Sequence, residues 1–98
     1  MSEKKVKDVM DIGELLQEKL GRPLRELEGK VITIEDFVEL QGRRGPFVIM
    51  KTREHGDVYT FSKVVIAQLK QIEEWFNKGI AVRAKVVKEK RYWRLTNP

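Results

Sequence analysis

The spacing of hydrophobic residues near the start of the chain predicts a short amphipathic helix. Between residues 8 and 21, apolar side chains recur every three or four positions, which is the period of one helical face. These side chains are Val9, Ile12, Leu16 and Leu20. Gly21 and Pro23 are typical stop signals, and the following RPLREL predicts a turn or a single helical turn. We interpret residues 1–23 as an N-terminal helical extension of a domain that spans residues 24–98.

Residues 30–40, KVITIEDFVEL, change to the alternating period of a strand. Ile32 and Ile34 share one face, but the apolar positions slip out of alternation after Asp36. Such a slip is typical of a bulge or bend in a long strand, as when one strand serves two edges of a barrel. We therefore predict a long strand with an irregularity near Asp36.

Two further strands follow this long one. GRRGP is a turn by composition, and PFVIMKTR, residues 46–53, is the next strand. Val48 and Met50 lie on its predicted inner face, while its outer face mixes apolar and cationic side chains. EHGD predicts a hairpin turn in which Gly56 takes a positive φ, and DVYTF predicts a short third strand.

The strongest helical pattern in the chain begins after Ser62, a favoured N-cap residue. Its apolar stripe consists of Val65, Leu69, Ile72 and Phe76. Lys78 in the last turn and Gly79 after it are typical of a helix end. IAVRAKVV then alternates as a fourth strand, KEKR is a charged turn, and YWRL is a short fifth strand.

The predicted order of elements is therefore β-β-β-α-β-β after the N-terminal helix. This is the order of the OB-fold, a five-stranded Greek-key barrel with a helix between strands three and four. We predict a mainly β protein with this fold. Another small α+β sheet with one helix packed on it is the alternative.

The composition fits one small, highly charged domain. The 98 residues are 41% hydrophobic and 36% charged, and so high a charged fraction is typical of heat-adapted proteins. The absence of cysteine excludes a disulfide framework and a thiolate metal site. No apolar run approaches the roughly 18 residues that span a bilayer, and the N-terminus lacks a secretion signal. We expect a cytoplasmic protein that makes no membrane contact.

Positive charge is concentrated in the later part of the chain. The net charge is +5, although residues 1–28 hold six Lys/Arg and seven Asp/Glu. Residues 78–94 hold seven cations against Glu89 alone, and residues 43–53 hold four cations and no acid. A basic bias of this kind favours a nucleic-acid-binding protein.

Two short motifs add a family resemblance. LEGK, residues 27–30, enters the long strand, and YTFSK, residues 59–63, joins the third strand to the helix. With these motifs, residues 24–96 resemble small single-domain OB-fold proteins of archaea and of their viruses and plasmids. Those proteins are similar to the DNA-binding domains of single-stranded DNA-binding proteins and replication protein A. The resemblance implies binding of single strands without strong sequence preference. The Gly-rich linker and acidic tail of bacterial members are missing, so recruitment of partners through such a tail is not implied.

Proteins that bind single strands combine cations, which contact phosphates, with aromatic rings, on which bases stack. In an OB-fold this surface is the outer face of strands two and three together with the loops between strands one and two and between strands four and five. The predicted nucleic-acid interface consists of Arg43, Arg44, Phe47, Ile49, Lys51, Arg53, Tyr59, Arg83, Lys85, Lys88, Lys90, Arg91, Tyr92 and Arg94.

The aromatic members of this set leave alternatives open. Phe47 either stacks on a base or caps the core at the end of the barrel, and Tyr59 faces the same choice. Tyr92 and Trp93 alternate, so at most one of them points outward. We favour Tyr92, because it shares a face with Arg94.

Catalysis and metal binding have little support in the sequence. His55 lies in a predicted hairpin turn, and no second histidine or cysteine exists to join it in a metal site. Glu35, Asp36 and Glu39 do not share one face, so they form neither a carboxylate dyad nor a cation cage. We expect no enzymatic activity and no cofactor.

The sequence therefore favours a non-catalytic protein that binds single-stranded DNA through backbone charge and base stacking. Two alternatives remain open. The N-terminal helix could make the chain an assembly module of a replication, virus or plasmid complex, either as a homo-oligomer or with a protein partner. RNA would use the same stacking surface, and the 2′-hydroxyl contacts that would decide are not visible in a sequence.

Overall fold

The computed structural model describes residues 21–98 and shows a mainly β protein. The strands are β1 (Arg22–Pro23), β2 (Val31–Gly42), β3 (Gly45–Thr52), β4 (Gly56–Thr60), β5 (Val82–Lys88) and β6 (Trp93–Thr96). The helices are a 3₁₀ helix (Leu24–Leu27), α1 (Lys63–Gln71) and α2 (Glu73–Asn77). All six strands belong to one sheet of order β1-β4-β3-β2-β5-β6, which curls into a half-barrel. The helix predicted before Gly21 lies outside the described residues.

β2 is the long, irregular strand that the sequence predicts. Its first part, from Val31 to Ile34, pairs antiparallel with β5, and the part from Ile34 to Gly42 pairs antiparallel with β3. The register shifts between Ile34 and Asp36, which confirms the predicted irregularity. Because an inserted residue bends a strand and increases its twist, this shift allows β2 to serve two partners and curls the sheet.

The turn between β3 and β4 is fastened to β2 beside this irregularity. The Arg53 N–H donates to the Thr33 carbonyl at 2.9 Å. The Glu54 carboxylate accepts hydrogen bonds from the Thr33 N–H at 2.8 Å and from the Thr33 hydroxyl at 2.6 Å. These bonds satisfy the buried Thr33 at the point where the strand ladder is shifted. Gly56, which opens β4, has a φ of +70°, as the turn prediction requires.

The hydrogen bonds between Thr33 and Glu54 make the stability of the fold depend on pH. The Thr33 hydroxyl, and next the Thr33 N–H, lower the pKa of Glu54 from its ordinary value of 4.5. A carboxyl whose pKa is lowered by folding stabilises the protein above its unfolded pKa, and this contribution is lost as the pH falls through the folded pKa. We therefore expect the Glu54→Gln variant to lose less stability than the wild type when the pH is lowered from about 6 to about 3.

Urea denaturation at a series of pH values measures this difference. The Glu28→Gln variant is the control, because Glu28 is an exposed acid in the turn before β2. If the unfolding free energies of the wild type and the Glu54→Gln variant changed in parallel with pH, the stabilising role of the Thr33–Glu54 hydrogen bonds would be contradicted.

The core lies between the inner face of the sheet and the helices. Its largest members are Leu24, Leu27, Ile32, Ile34, Met50, Ile66, Leu69 and Phe76. Ser62 is the N-cap of α1, as predicted, and its hydroxyl accepts from the Val65 N–H at 3.3 Å. The single helix predicted after Ser62 is wrong in one respect. The chain leaves helical geometry at Ile72, where φ is −113°, and resumes as α2. Phe76 still reaches the core, where its ring meets Phe37 edge-on at 5.6 Å.

Helix α1 covers the outer edge of β6 with side-chain hydrogen bonds. The Gln68 side chain donates to the Leu95 carbonyl at 2.8 Å and accepts from the Leu95 N–H at 2.9 Å. The Ser62 hydroxyl donates to the Trp93 carbonyl at 2.6 Å. Since edge strands expose unpaired backbone groups, these bonds give β6 partners that the sheet does not supply. At the opposite edge of the sheet, β1 pairs in parallel with β4. The sequence does not predict β1.

Gln68 offers a direct test of this edge. We expect the Gln68→Met variant to lose about 2 kcal/mol of unfolding free energy, because it keeps the length of the side chain but leaves two backbone groups of Leu95 without partners. The Gln71→Met variant, at an exposed position of the same helix, is the matched control and should change little. Thermal and urea denaturation of both variants measure the difference. Equal stabilities would show that water replaces Gln68 without cost.

Candidate nucleic-acid interface

The outer face of β3 carries the residues on which the sequence prediction centres. Val48, Met50 and Thr52 are buried on the inner face, as predicted. Phe47 occupies the outer register with Ile49, yet its side chain is 0% exposed. Its ring lies 5.0 Å from the ring of Phe61, and it packs closely on the backbone of Gly42, where an added Cβ would lie 3.1 Å from the Phe47 ring.

The structure thus corrects the stacking role considered for Phe47. A ring without accessible surface offers no face to a base, and Phe47 acts as a packing residue beneath Phe61. Tyr59 is half-buried, with Ile49 and Pro23 as its cross-strand partners. The alternation of apolar and polar residues indicates which side of a strand a residue occupies. Whether that side is buried depends on residues from elsewhere in the chain.

The cations at the β3 end of the predicted interface stand beside acids. Lys51 is directly opposite Asp36 on β2 and directly opposite Asp57 on β4. The Arg53 guanidinium pairs with the Glu35 carboxylate at 3.0 Å. Opposite charges on neighbouring strands attract across the sheet. This part of the outer face is therefore balanced in charge, although residues 43–53 contain no acid along the chain.

The two predicted loops lie at opposite ends of β2. Arg43 and Arg44 form the exposed turn that follows Gly42. β5 runs antiparallel to β2, so Lys85 lies opposite Val31 at the beginning of β2. The turn after β5 is consequently separated from the β2–β3 turn by the whole length of β2, roughly 36 Å of strand.

The turn between β5 and β6 displays the strongest local concentration of exposed cations. The Glu89 N–H donates to the Tyr92 carbonyl at 2.8 Å and closes the turn. Lys90 and Arg91 are exposed at its two central positions. Glu89 forms an ion pair with Arg94 on β6, so its negative charge is compensated within the hairpin.

Aromatic rings accompany these cations. Tyr92 is 43% exposed, whereas Trp93 is half-buried against the core, which confirms the prediction that Tyr92 is the outward member. The Lys88 ammonium lies 5.6 Å from the centre of the Trp93 ring, within the range of a cation–π contact. We define the hairpin patch as Lys85, Lys88, Lys90, Arg91 and Tyr92.

Arg83 and Arg94 are the remaining cations of β5 and β6. Arg83 is exposed on β5, and its cross-strand partner Thr33 is bonded to the Glu54 carboxylate on the β3–β4 turn, away from the end of the hairpin. Arg94 is held by Glu89. Lys85 is exposed, and its partners Val31 and Thr96 are uncharged. The hairpin patch wraps the end of the hairpin, because Lys85 and Lys88 lie on opposite registers of β5.

One exposed aromatic residue outside the predicted interface is Trp75 on α2. It is 44% exposed, and the Lys78 ammonium lies 4.7 Å from its ring centre. Lys78 also faces Glu74 at 3.9 Å, so this site carries no excess of positive charge. Trp75 is therefore a useful comparison for Tyr92, with the same exposure in a different electrostatic setting.

Within residues 21–98 no three His, Cys, Asp or Glu side chains lie close enough to hold a metal ion. The helices of the same region are too short and too polar to cross a membrane. Comparison of the chain with protein-family models, with curated proteins and with solved structures gives no significant match.

Proposed function

We propose that this protein binds single-stranded nucleic acid through the hairpin patch, and that single-stranded DNA is the favoured ligand. The observation that carries the proposal is the β5–β6 turn, where exposed Lys90 and Arg91 adjoin an exposed tyrosine ring. The acid in this turn, Glu89, is engaged by Arg94. Phosphates would be attracted to the cations, and an unstacked base would lie against Tyr92.

The arrangement of β2 to β6 supports an OB-fold for the domain. β2 pairs with both β3 and β5, and two helices separate β4 from β5 in the chain. The OB-fold is a partly open five-stranded Greek-key barrel. Here β1 pairs with the edge of β4 at Val58 and Tyr59, while α1 bonds to the edge of β6. A barrel that is left open between β4 and β6 explains the half-barrel shape.

The proposed interface is displaced from the face that OB-folds commonly use. Cations on the outer face of β3 are balanced by acids, whereas the hairpin patch has four cations, and the one acid within its turn, Glu89, is paired with Arg94. Since the phosphate term dominates non-specific binding, the surface with uncompensated cations is the favoured one. We therefore assign Arg53 and Phe47 to the structure of the domain rather than to its ligand.

Fluorescence anisotropy with labelled oligonucleotides tests the function. A single-stranded DNA, an RNA of the same sequence and a DNA duplex are titrated at two salt concentrations. We expect the single strand to bind more tightly than the duplex, because only an unpaired base can stack on Tyr92, and the affinity to rise as salt is lowered. Absence of binding at low salt, or preference for the duplex, would contradict the proposal. Tighter binding of RNA than of DNA would identify RNA as the ligand, and the proposed interface would stay the same.

A further inference from the structure

The outer face of β2, β3 and β4 carries an apolar surface that the hairpin patch does not use. We define the apolar outer face as Val38, Leu40, Ile49 and Phe61, which lie around the buried Phe47. Val38 is 49% exposed and Phe61 is 37% exposed, while Leu40 and Ile49 are half-buried. Cross-strand pairing places Val38 opposite Ile49 and Leu40 opposite Phe47, so these side chains are contiguous. Exposed apolar side chains that adjoin one another in this way form a candidate binding surface.

The chemistry of this face excludes phosphate as its occupant. None of its four residues is charged, and the neighbouring Lys51 stands between Asp36 and Asp57. The face suits an apolar side-chain stripe rather than a polyanion. Exposed Val38 and Phe61 lie on two sides of Ile49 and Phe47, so an occupant would extend across the strands.

The described part of the chain begins at the edge of the sheet that borders this face. Gly21 approaches Asp57 so closely that an added Cβ would lie 2.2 Å from the Asp57 carbonyl oxygen, and its φ is +89°. The next residues form β1, in which Pro23 pairs with Tyr59 of β4. Tyr59 lies on the outer register beside Ile49. Leu20 is therefore joined directly to the edge of the sheet that borders the apolar outer face.

The segment that precedes Gly21 has the pattern and length to fill the site. Residues 8–20 carry one apolar stripe at helical spacing, Val9, Ile12, Leu16 and Leu20. A helix of this length spans about 20 Å, which is close to the roughly 17 Å of β4. Because no linker separates the stripe from β1, its effective concentration at the face is in the millimolar range or above, which favours this segment over a second copy.

From these observations we propose that residues 8–20 form an amphipathic helix that docks on the apolar outer face of the same chain. Its stripe covers Val38, Ile49 and Phe61 and completes the layer that begins with the buried Phe47. The proposal stands whether or not the hairpin patch binds nucleic acid. It also gives a physical reason for the glycine at position 21, where the chain turns from the sheet edge while pressed against Asp57.

Methyl nuclear Overhauser effects in the full-length wild-type protein test the docking without any substitution. We expect cross-peaks from the methyl groups of Ile12 and Leu16 to those of Val38 and Ile49. An isotope-filtered experiment on a mixture of labelled and unlabelled chains retains only interchain cross-peaks, and it should show none between these methyl groups. Cross-peaks that survive the filter would assign the face to a second copy. Ile80 is an exposed apolar residue that precedes β5 and does not belong to this face. Cross-peaks to Ile80 alone, or none from the segment, would also overturn the proposal.

Disulfide cross-linking gives an independent answer, because the natural chain contains no cysteine. The Leu16→Cys and Val38→Cys substitutions are combined in one chain, and mild oxidation should give an intrachain product. Two control pairs keep one partner each: Glu14→Cys with Val38→Cys, and Leu16→Cys with Trp75→Cys. We expect at least a severalfold lower yield from both controls. Equal yields, or a dimeric product from the first pair, would contradict docking on this face.

Discussion

Replacing Phe47 with alanine is expected to destabilise the fold by about 3–5 kcal/mol, the usual effect of removing a fully buried phenylalanine. The side chain is 0% exposed and packs between the ring of Phe61 and the backbone of Gly42. Urea denaturation measures the loss. For a small domain with a total stability of roughly 5–15 kcal/mol, a change of this size brings the protein close to unfolding.

Phe61→Ala is the matched control for this experiment. Phe61 belongs to the same ring pair but is 37% exposed, so we expect a clearly smaller loss of stability. The result that would contradict this role is a Phe47→Ala protein of wild-type stability that binds single strands weakly. Such a protein would return Phe47 to the stacking role considered from the sequence.

Tyr92→Ala is expected to weaken the binding of single-stranded DNA by about 1–3 kcal/mol, which is the range for loss of one base–aromatic stack. At the upper end this is more than a hundredfold in affinity. The ring is exposed at the end of a hairpin, so the fold should be preserved. Anisotropy titrations of a single strand and a duplex measure the effect, and the single strand should lose more.

Trp75→Ala controls for the loss of any exposed aromatic ring. Trp75 is 44% exposed, nearly the same as Tyr92, but Lys78 beside it is balanced by Glu74. We expect its replacement to leave binding unchanged. Equal losses for Tyr92→Ala and Trp75→Ala would mean that stacking at the hairpin patch is not specific to that site.

Much of the fold could be predicted because its signals are local. The N-cap at Ser62, the positive φ at Gly56 and Gly79, and the strand irregularity near Asp36 each depend on a few adjacent residues. The break at Ile72 could not be predicted, since its apolar side chain continues the helical stripe. β1 was equally invisible, because two residues carry no period and their pairing with β4 depends on the tertiary fold.

The interface was predicted less well, because its properties arise between strands. Residues 43–53 appear purely cationic along the chain, yet Lys51 lies opposite Asp36 and Asp57, and Arg53 pairs with Glu35. Burial of Phe47 depends on Phe61, which is distant by 14 positions in the sequence. Local alternation did identify Tyr92 as the outward aromatic residue of the last hairpin.

The salt dependence of single-strand binding tests the central claim, that the hairpin patch contacts the phosphates. Each phosphate contact contributes about −0.7 to the slope of log K against log salt for a single strand. We expect the Lys90→Gln/Arg91→Gln variant to bind more weakly and with a slope smaller in magnitude by about 1.4. The Lys70→Gln/Lys78→Gln variant has the same change in net charge, but its lysines are paired with Glu39 and Glu74, and its slope should match the wild type. Identical slopes for the two double variants would contradict the claim.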